Sequence, residues 1–186
     1  ALIGAWKEDN EFDCKMIEQI SGMGYSEFEA RARTMLSQNS EYLQLTNGNW
    51  KVCHKEELLD QCKNKLFDDS IGKLLEAVES ILRQKSKCVA SKMPYFIPVS
   101  GEYDNSLELR GNLVKSLCWV KKNLSELSQC NQEKIKNNIY ALVSTLLQDA
   151  KWITWTSLRD CLQNLAELSP EAFLKDAERG IINNPT

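Results

Sequence analysis

The segment Leu43-Gln44-Leu45-Thr46-Asn47-Gly48-Asn49-Trp50-Lys51-Val52 carries a periodicity found nowhere else in this chain. Apolar residues alternate with polar ones on both sides of Asn47-Gly48, the two-residue period of a strand with one packed face. An Asn-Gly pair tolerates positive φ at both central positions of a type I′ turn, whose twist matches that of the strands it joins. The segment predicts a two-stranded hairpin.

Upstream, the pattern is helical. Ala1–Trp6 is expected to be the tail of a helix, with Leu2, Ile3 and Trp6 at helical spacing. Asn10 is placed as an N-cap with Asp13 three residues on, and Phe12, Met16, Ile17 and Ile20 form the stripe that follows. Gly22 and Gly24 punctuate that helix. Ser26 and Glu29 have capping-box spacing and open a helix expected to bury Phe28, Ala32, Met35 and Leu36. Helix, helix, tight turn, helix and hairpin is the order of a winged helix-turn-helix with a two-stranded wing, assigned to residues 1–55.

From His54 onward only helices are predicted. Leu58, Leu59, Cys62 and Leu66 mark one; Ile71, Leu74, Leu75, Val78, Ile81 and Leu82 mark the next, with Ser70 as its cap. Residues 84–104 hold Pro94, Pro98 and Gly101 and read as a long connection with a short extended piece at Tyr95–Val99. A helix then starts near Ser106 and carries Leu113, Val114, Leu117, Val120 and Leu124. Another is capped by Asn131 and carries Ile135, Ile139, Leu142, Val143 and Leu146. Trp152-Ile153-Thr154-Trp155 leads into a helix with Leu158, Leu162 and Leu165. Ser169-Pro170-Glu171 opens the last helix, with Gly180 as its stop and a frayed tail at residues 183–186. The fold class expected is mainly α: a winged-helix module, then an antiparallel helical bundle or solenoid-like array over residues 56–186.

The bulk numbers restrict function. A formal net charge of −3, from 23 basic and 26 acidic side chains, gives no overall attraction for phosphate backbones. Seven cysteines, odd in number and widely scattered, suit a reducing cytoplasm better than a disulfide framework. No apolar run approaches the roughly 20 residues of a membrane span. The chain opens with Ala inside an apolar pattern, so a segment of a longer polypeptide is expected.

Catalytic chemistry finds little to work with. The one Gly-Lys pair, Gly72-Lys73, lies inside a helical pattern and lacks the earlier glycine and the hydroxyl of a phosphate loop. Gly22-Met23-Gly24 lacks a third glycine and follows a helix instead of a strand. His54 is the sole histidine, and no triad partner is suggested for it. Cys53, His54 and Cys62 fit no zinc-ligand spacing. Glu56-Glu57 and Asp68-Asp69 are adjacent pairs that diverge on a helix and read as helix-start acids. No catalytic residue, cofactor or metal ligand is therefore assigned.

Nucleic-acid binding has a thin footprint. In a winged helix the second helix of the turn motif enters the major groove. Here that is Glu27–Gln38, presenting Arg31 and Arg33 but also Glu27 and Glu29, with Lys51 on the wing. Arg31, Arg33 and Lys51 are the candidate contacts. The tryptophans at 119, 152 and 155 read as core.

Four stretches resemble the region that follows the nucleotide-binding core in large bacterial STAND NTPases of antiviral-defence type. They are Ala1–Trp6 through Asn10-Glu11, the wing Leu43–Val52, Leu109-Arg110-Gly111-Asn112-Leu113-Val114, and Leu165-Ala166-Glu167-Leu168-Ser169-Pro170-Glu171-Ala172-Phe173-Leu174. The resemblance implies a nucleotide-gated switch whose P-loop and magnesium-binding acid lie upstream, with a helical sensor array downstream. It also implies a winged-helix histidine that contacts ADP phosphate. His54 falls after the wing and outside that motif, so the role is not transferred. The expected function is non-catalytic coupling between an ATPase core and a sensor array. Its partners would be other domains of the same polypeptide or a further copy of the chain, with no membrane contact. The alternative is a DNA-binding regulator with a helical oligomerisation domain.

Overall fold

A computed structural model describes residues 1–38, 41–86 and 103–183, with side chains described as far as Arg179. The chain is mainly α, 68% helical, with a small three-stranded antiparallel sheet near its N-terminus. The hairpin forms where expected. β2 (Leu43–Thr46) and β3 (Asn49–Val52) pair with Thr46 opposite Asn49, and Asn47 (φ 50°) and Gly48 (φ 75°) make the turn.

The expected helix at Ala1–Trp6 is instead an edge strand, β1 (Ala5–Lys7), antiparallel to β3, which gives the sheet order β1-β3-β2. Trp6 lies opposite Trp50 with the two indoles stacked, centroids 5.3 Å apart. A six-residue apolar run cannot distinguish the two periods, and the vacant edge of β3 decided the outcome. Gly4 (φ 79°) prevents helix continuation, and its carbonyl accepts from Val52 N at 2.7 Å.

Two helices pack on the sheet. Helix α1 (Glu11–Ser21) is capped by Asn10, whose side chain accepts from Asp13 N, and ends at Gly22. It buries Met16 and Ile17 and leaves Phe12 46% exposed. Helix α2 (Tyr25–Ser37) starts earlier than expected: Gly24 is its N-cap and Ser26 lies in its first turn. The carboxylate of Glu18, in the last turn of α1, accepts from Tyr25 N at 2.8 Å and satisfies a first-turn donor that lies ahead of Ser26. Ala32 is buried and Phe28 and Leu36 pack against the core, but Met35 is 47% exposed.

The described residues beyond the sheet are helical. Helix α3 (Lys55–Cys62) ends in a 3-10 turn, so Leu66 lies beyond it; α4 (Asp68–Leu82) begins after Phe67, placing Ser70 inside the helix. Helix α5 (Leu107–Lys122) begins near Ser106 as expected, with Ser106 as its cap, and α6 (Gln132–Leu147) has the expected cap at Asn131. Trp152–Leu158 is itself a helix, α7, separate from α8 (Leu162–Leu168). Helix α9 (Pro170–Asn183) begins where expected but continues through Gly180. The expected extended piece at Tyr95–Val99 and the tail 184–186 lie outside the described residues. Among the described residues no helix is long and apolar enough to cross a membrane.

Helices α4 and α5 supply the centre of the core. Ile71, Leu74, Val78 and Ile81 face Leu109, Leu113, Val114 and Leu117 within one fully enclosed set. Helix α1 packs on α4 and β1 on α5, so the apolar cluster runs unbroken from Ile3 and Trp6 to Ala172. Where α1 meets α5, Asp13 is completely buried. Its carboxylate accepts from Lys7 N at 3.0 Å, Ser106 N at 2.9 Å, Ser106 Oγ at 2.5 Å and Asn105 Nδ2 at 3.4 Å.

Asp13→Ala strands these donors in the interior and is expected to lower unfolding free energy by about 3 kcal/mol, measured by urea denaturation. Gly4→Ala meets both a positive φ and a wall: a Cβ there would sit 2.6 Å from Lys55 Nζ and Asn112 Oδ1. A loss of roughly 2–3 kcal/mol is expected in the same assay.

Candidate functional site

The residues singled out for nucleic acid are placed on a surface already neutralised. Arg31 is paired to Glu27 at 2.6 Å along α2. Arg33 is held by Glu29 at 2.6 Å and by Glu8 at 2.8 Å, with its guanidinium 5.5 Å from the Trp50 ring. Glu8 also accepts from Trp50 Nε1 at 3.0 Å, so Arg33 belongs to a cluster tying α2 to the sheet. The i,i+4 partners were legible in the sequence; Glu8, 25 residues away, was not. Lys51 is exposed on the central strand.

The motifs set aside in the sequence lie in local structure. Gly72 and Lys73 lie within α4, where Lys73 pairs with Asp69 at 2.9 Å. His54 is the residue before α3, in a left-handed conformation (φ 48°), with the Tyr42 ring edge-on at 6.4 Å. Glu56-Glu57 and Asp68-Asp69 are first-turn acids of α3 and α4. Among the described residues no group of three or more His, Cys, Asp or Glu is arranged around a metal position. The described cysteines are free thiols, and burial pushes Cys161 up to about 12, away from the reactive thiolate. Trp119 is buried and Trp155 packs on Phe173, but Trp152 is 65% exposed.

What the fold brings together instead is an apolar groove between β1, α2, the hairpin and α3. It has a volume of about 520 Å³, with Trp6, Phe28, Met35, Leu43, Val52 and Leu58 among its walls. Met35 is exposed because it faces this groove. Met35 has the spacing of a core residue, yet it is 47% exposed along the groove.

Two cations, Arg110 fully buried and Lys55 half-buried, carry no local signal of their placement. Arg110 is completely enclosed in α5. Its Nε donates to Asp160 Oδ2 at 3.0 Å, its Nη2 to Ser157 O at 3.0 Å and its Nη1 to Ile81 O. The Tyr103 ring covers the guanidinium at 4.2 Å. Ile81 and Ser157 lie in the last turns of α4 and α7, where carbonyls lack intrahelical partners. One side chain therefore caps two helices. Lys55, in the first turn of α3, donates to Asn112 O at 2.7 Å. Burial, with the neighbouring Lys115 charge adding and Glu56 opposing, pushes its ammonium down to about 7.

No protein-family model matches the chain, and no curated protein or solved structure shows significant similarity to it.

Because the Lys55 pKa falls on folding, the unfolded chain binds the extra proton between pH 7 and the ordinary value of 10.5. Stability from this group is lowest below that window and rises with pH through it. Between pH 7 and pH 9 the wild type is expected to gain about 2 kcal/mol relative to Lys55→Met, read from paired denaturation curves.

Proposed function

We propose that this chain is a non-catalytic coupling segment of a multidomain STAND-type NTPase, relaying nucleotide state between an ATPase core and a sensor array through protein–protein packing. In this reading residues 1–55 are a winged helix-turn-helix. Its support is the succession β1-α1-α2-β2-β3, in which the first strand joins the last rather than its neighbour in sequence. The helical residues from 56 onward form the bundle that receives the motion, and the segment works in the cytoplasm.

The observation that carries the proposal is the Asp13 seam. One buried carboxylate holds the end of β1 and the start of α5, so displacement of the sheet module moves α5 with it. Arg110, one turn further along α5, holds the last turns of α4 and α7. The apolar groove beside α2 is an open packing surface of the kind such coupling requires. The resemblance of the four quoted stretches supplies the family.

The alternative, a winged-helix DNA-binding regulator with a helical oligomerisation domain, is favoured by the exposure of Arg31 and Arg33 on α2 and Lys51 on β3. The carboxylates that already hold both arginines count against it, because a phosphate must displace them.

Hydrogen exchange on the whole polypeptide tests the coupling reading. Protection across Tyr25–Ser37 and Leu107–Lys122 is expected to differ between the ADP-bound state and one holding a non-hydrolysable ATP analogue; a polypeptide without a P-loop core, or one whose protection ignores nucleotide, overturns it. A fluorescence titration with duplex DNA at two salt concentrations tests the other. Salt-sensitive binding lost in the Arg31→Ala, Arg33→Ala double variant would establish the regulator; no binding is expected.

A further inference from the structure

Two adjoining cavities open where α3, α5 and α8 meet. One, of about 390 Å³, is lined by His54, Lys55, Glu56, Leu59, Lys115 and Trp119. The other, of about 430 Å³, shares Glu56, Lys115 and Trp119 with it and adds Lys121, Lys122 and Glu167. The shared walls make them two lobes of one cleft. Four lysines line it against two carboxylates, and among the described residues none of the four is in an ion pair.

Ordinary helix chemistry accounts for half of this charge. Lys121 and Lys122 occupy the last turn of α5, where cations complement the helix dipole, and Lys121 Nζ donates to Glu167 O at 2.6 Å. Lys55 and Lys115 have no such explanation. Lys55 is drawn into the protein beside a second ammonium, an arrangement that burial and like charge both oppose. As a neutral amine it has two N–H groups, and Asn112 accepts from it with O at 2.7 Å and Oδ1 at 3.4 Å. Protonation creates a third N–H that needs an acceptor. The charged groups acting on Lys55 are Glu56 on α3 and Lys115 on α5, and its own charge reaches the amino group of Ala1 ahead of β1. Glu56 makes no ion pair with it.

We propose that this cleft binds a compact, multiply charged oxyanion of the phosphate class, held between Lys55 and Lys115 against the wall formed by Trp119. The anion supplies the acceptor that a protonated Lys55 lacks and removes its repulsion from Lys115. Binding above neutral pH therefore draws a proton onto Lys55. Each lobe is large enough for a phosphate group and its immediate substituent and too small for a folded partner. The inference stands independently of the coupling reading.

Sulfate is the probe, because it has no titration near neutral pH and every proton taken up belongs to the protein. The Lys55 side chain of the intact chain is titrated by heteronuclear NMR in sulfate and in chloride of equal ionic strength, with Lys55→Met to assign the resonance. Sulfate is expected to raise the Lys55 pKa by roughly one unit over chloride, and the difference is expected to vanish in the surface variant Lys115→Ala. Equal pKa values in the two salts would overturn the proposal with no variant needed. A sulfate shift that survives Lys115→Ala would mean an adventitious ion only, and would overturn it as well.

Discussion

The carboxylate of Asp13 is the constraint on which the arrangement of this molecule depends. It sits in the first turn of α1, its own N–H capped by Asn10 Oδ1 at 3.0 Å, and Asn10 in turn donates to Asp104 O at 2.9 Å. A buried carboxylate is costly to desolvate unless donors surround it. Here they come from β1 and from the two residues that open α5. Ser106 serves both sides, giving its hydroxyl proton to Asp13 and accepting from Leu109 N as the cap of α5. The start of α5 is thus defined by the same contact that docks the sheet module, and neither can shift while the other stays.

One turn along α5, Arg110 does for the helical layer what Asp13 does for the sheet. A guanidinium aimed at carbonyls in the last turns of α4 and α7 meets the negative ends of two helix dipoles. Asp160 balances its charge while remaining partly open to solvent. Around this point the chain closes a polar network: Tyr103 Oη donates to Ser157 O at 2.7 Å, and Ser86 N to Ser157 Oγ at 3.1 Å. The first turn of α5 is therefore the place where sheet, α4 and α7 share a mechanical reference. The elements further along depend on apolar packing, which tolerates small sliding more readily than a set of directional bonds.

How much of this was legible in the residues follows the range of the interactions. The hairpin, the caps at Asn10 and Asn131 and the helix start near Ser106 are local, each settled within a few residues, and each stands where the pattern put it. Strand β1 depends on a partner more than 40 residues away, and its three residues carry no period of their own. The Ser26 pattern failed because the helix begins a residue earlier, with Gly24 as its N-cap and the carboxylate of Glu18, on the preceding helix, accepting from Tyr25 N. Gly180 did not stop α9, since a single glycine costs a helix only about 1 kcal/mol. Arg110 and Lys55 were unreadable for a plainer reason. Charged residues are expected at the surface, and nothing local announces that two helix ends, or the Asn112 carbonyl, will be waiting for them. The candidate surface fared the same way, for Met35 has a core residue's spacing and an open groove in front of it.

Asp13 and Ser106 are separated by 93 residues. On a ribosome adding about 5–20 residues per second, the carboxylate emerges roughly 5–20 s before the hydroxyl that will satisfy it. The hairpin, β1 and α4 can come together in that interval, but the apolar face destined for α5 stays uncovered. The nascent N-terminal module thus has a built-in waiting period, during which a holdase or a neighbouring nascent chain competes for the surface that α5 will later claim.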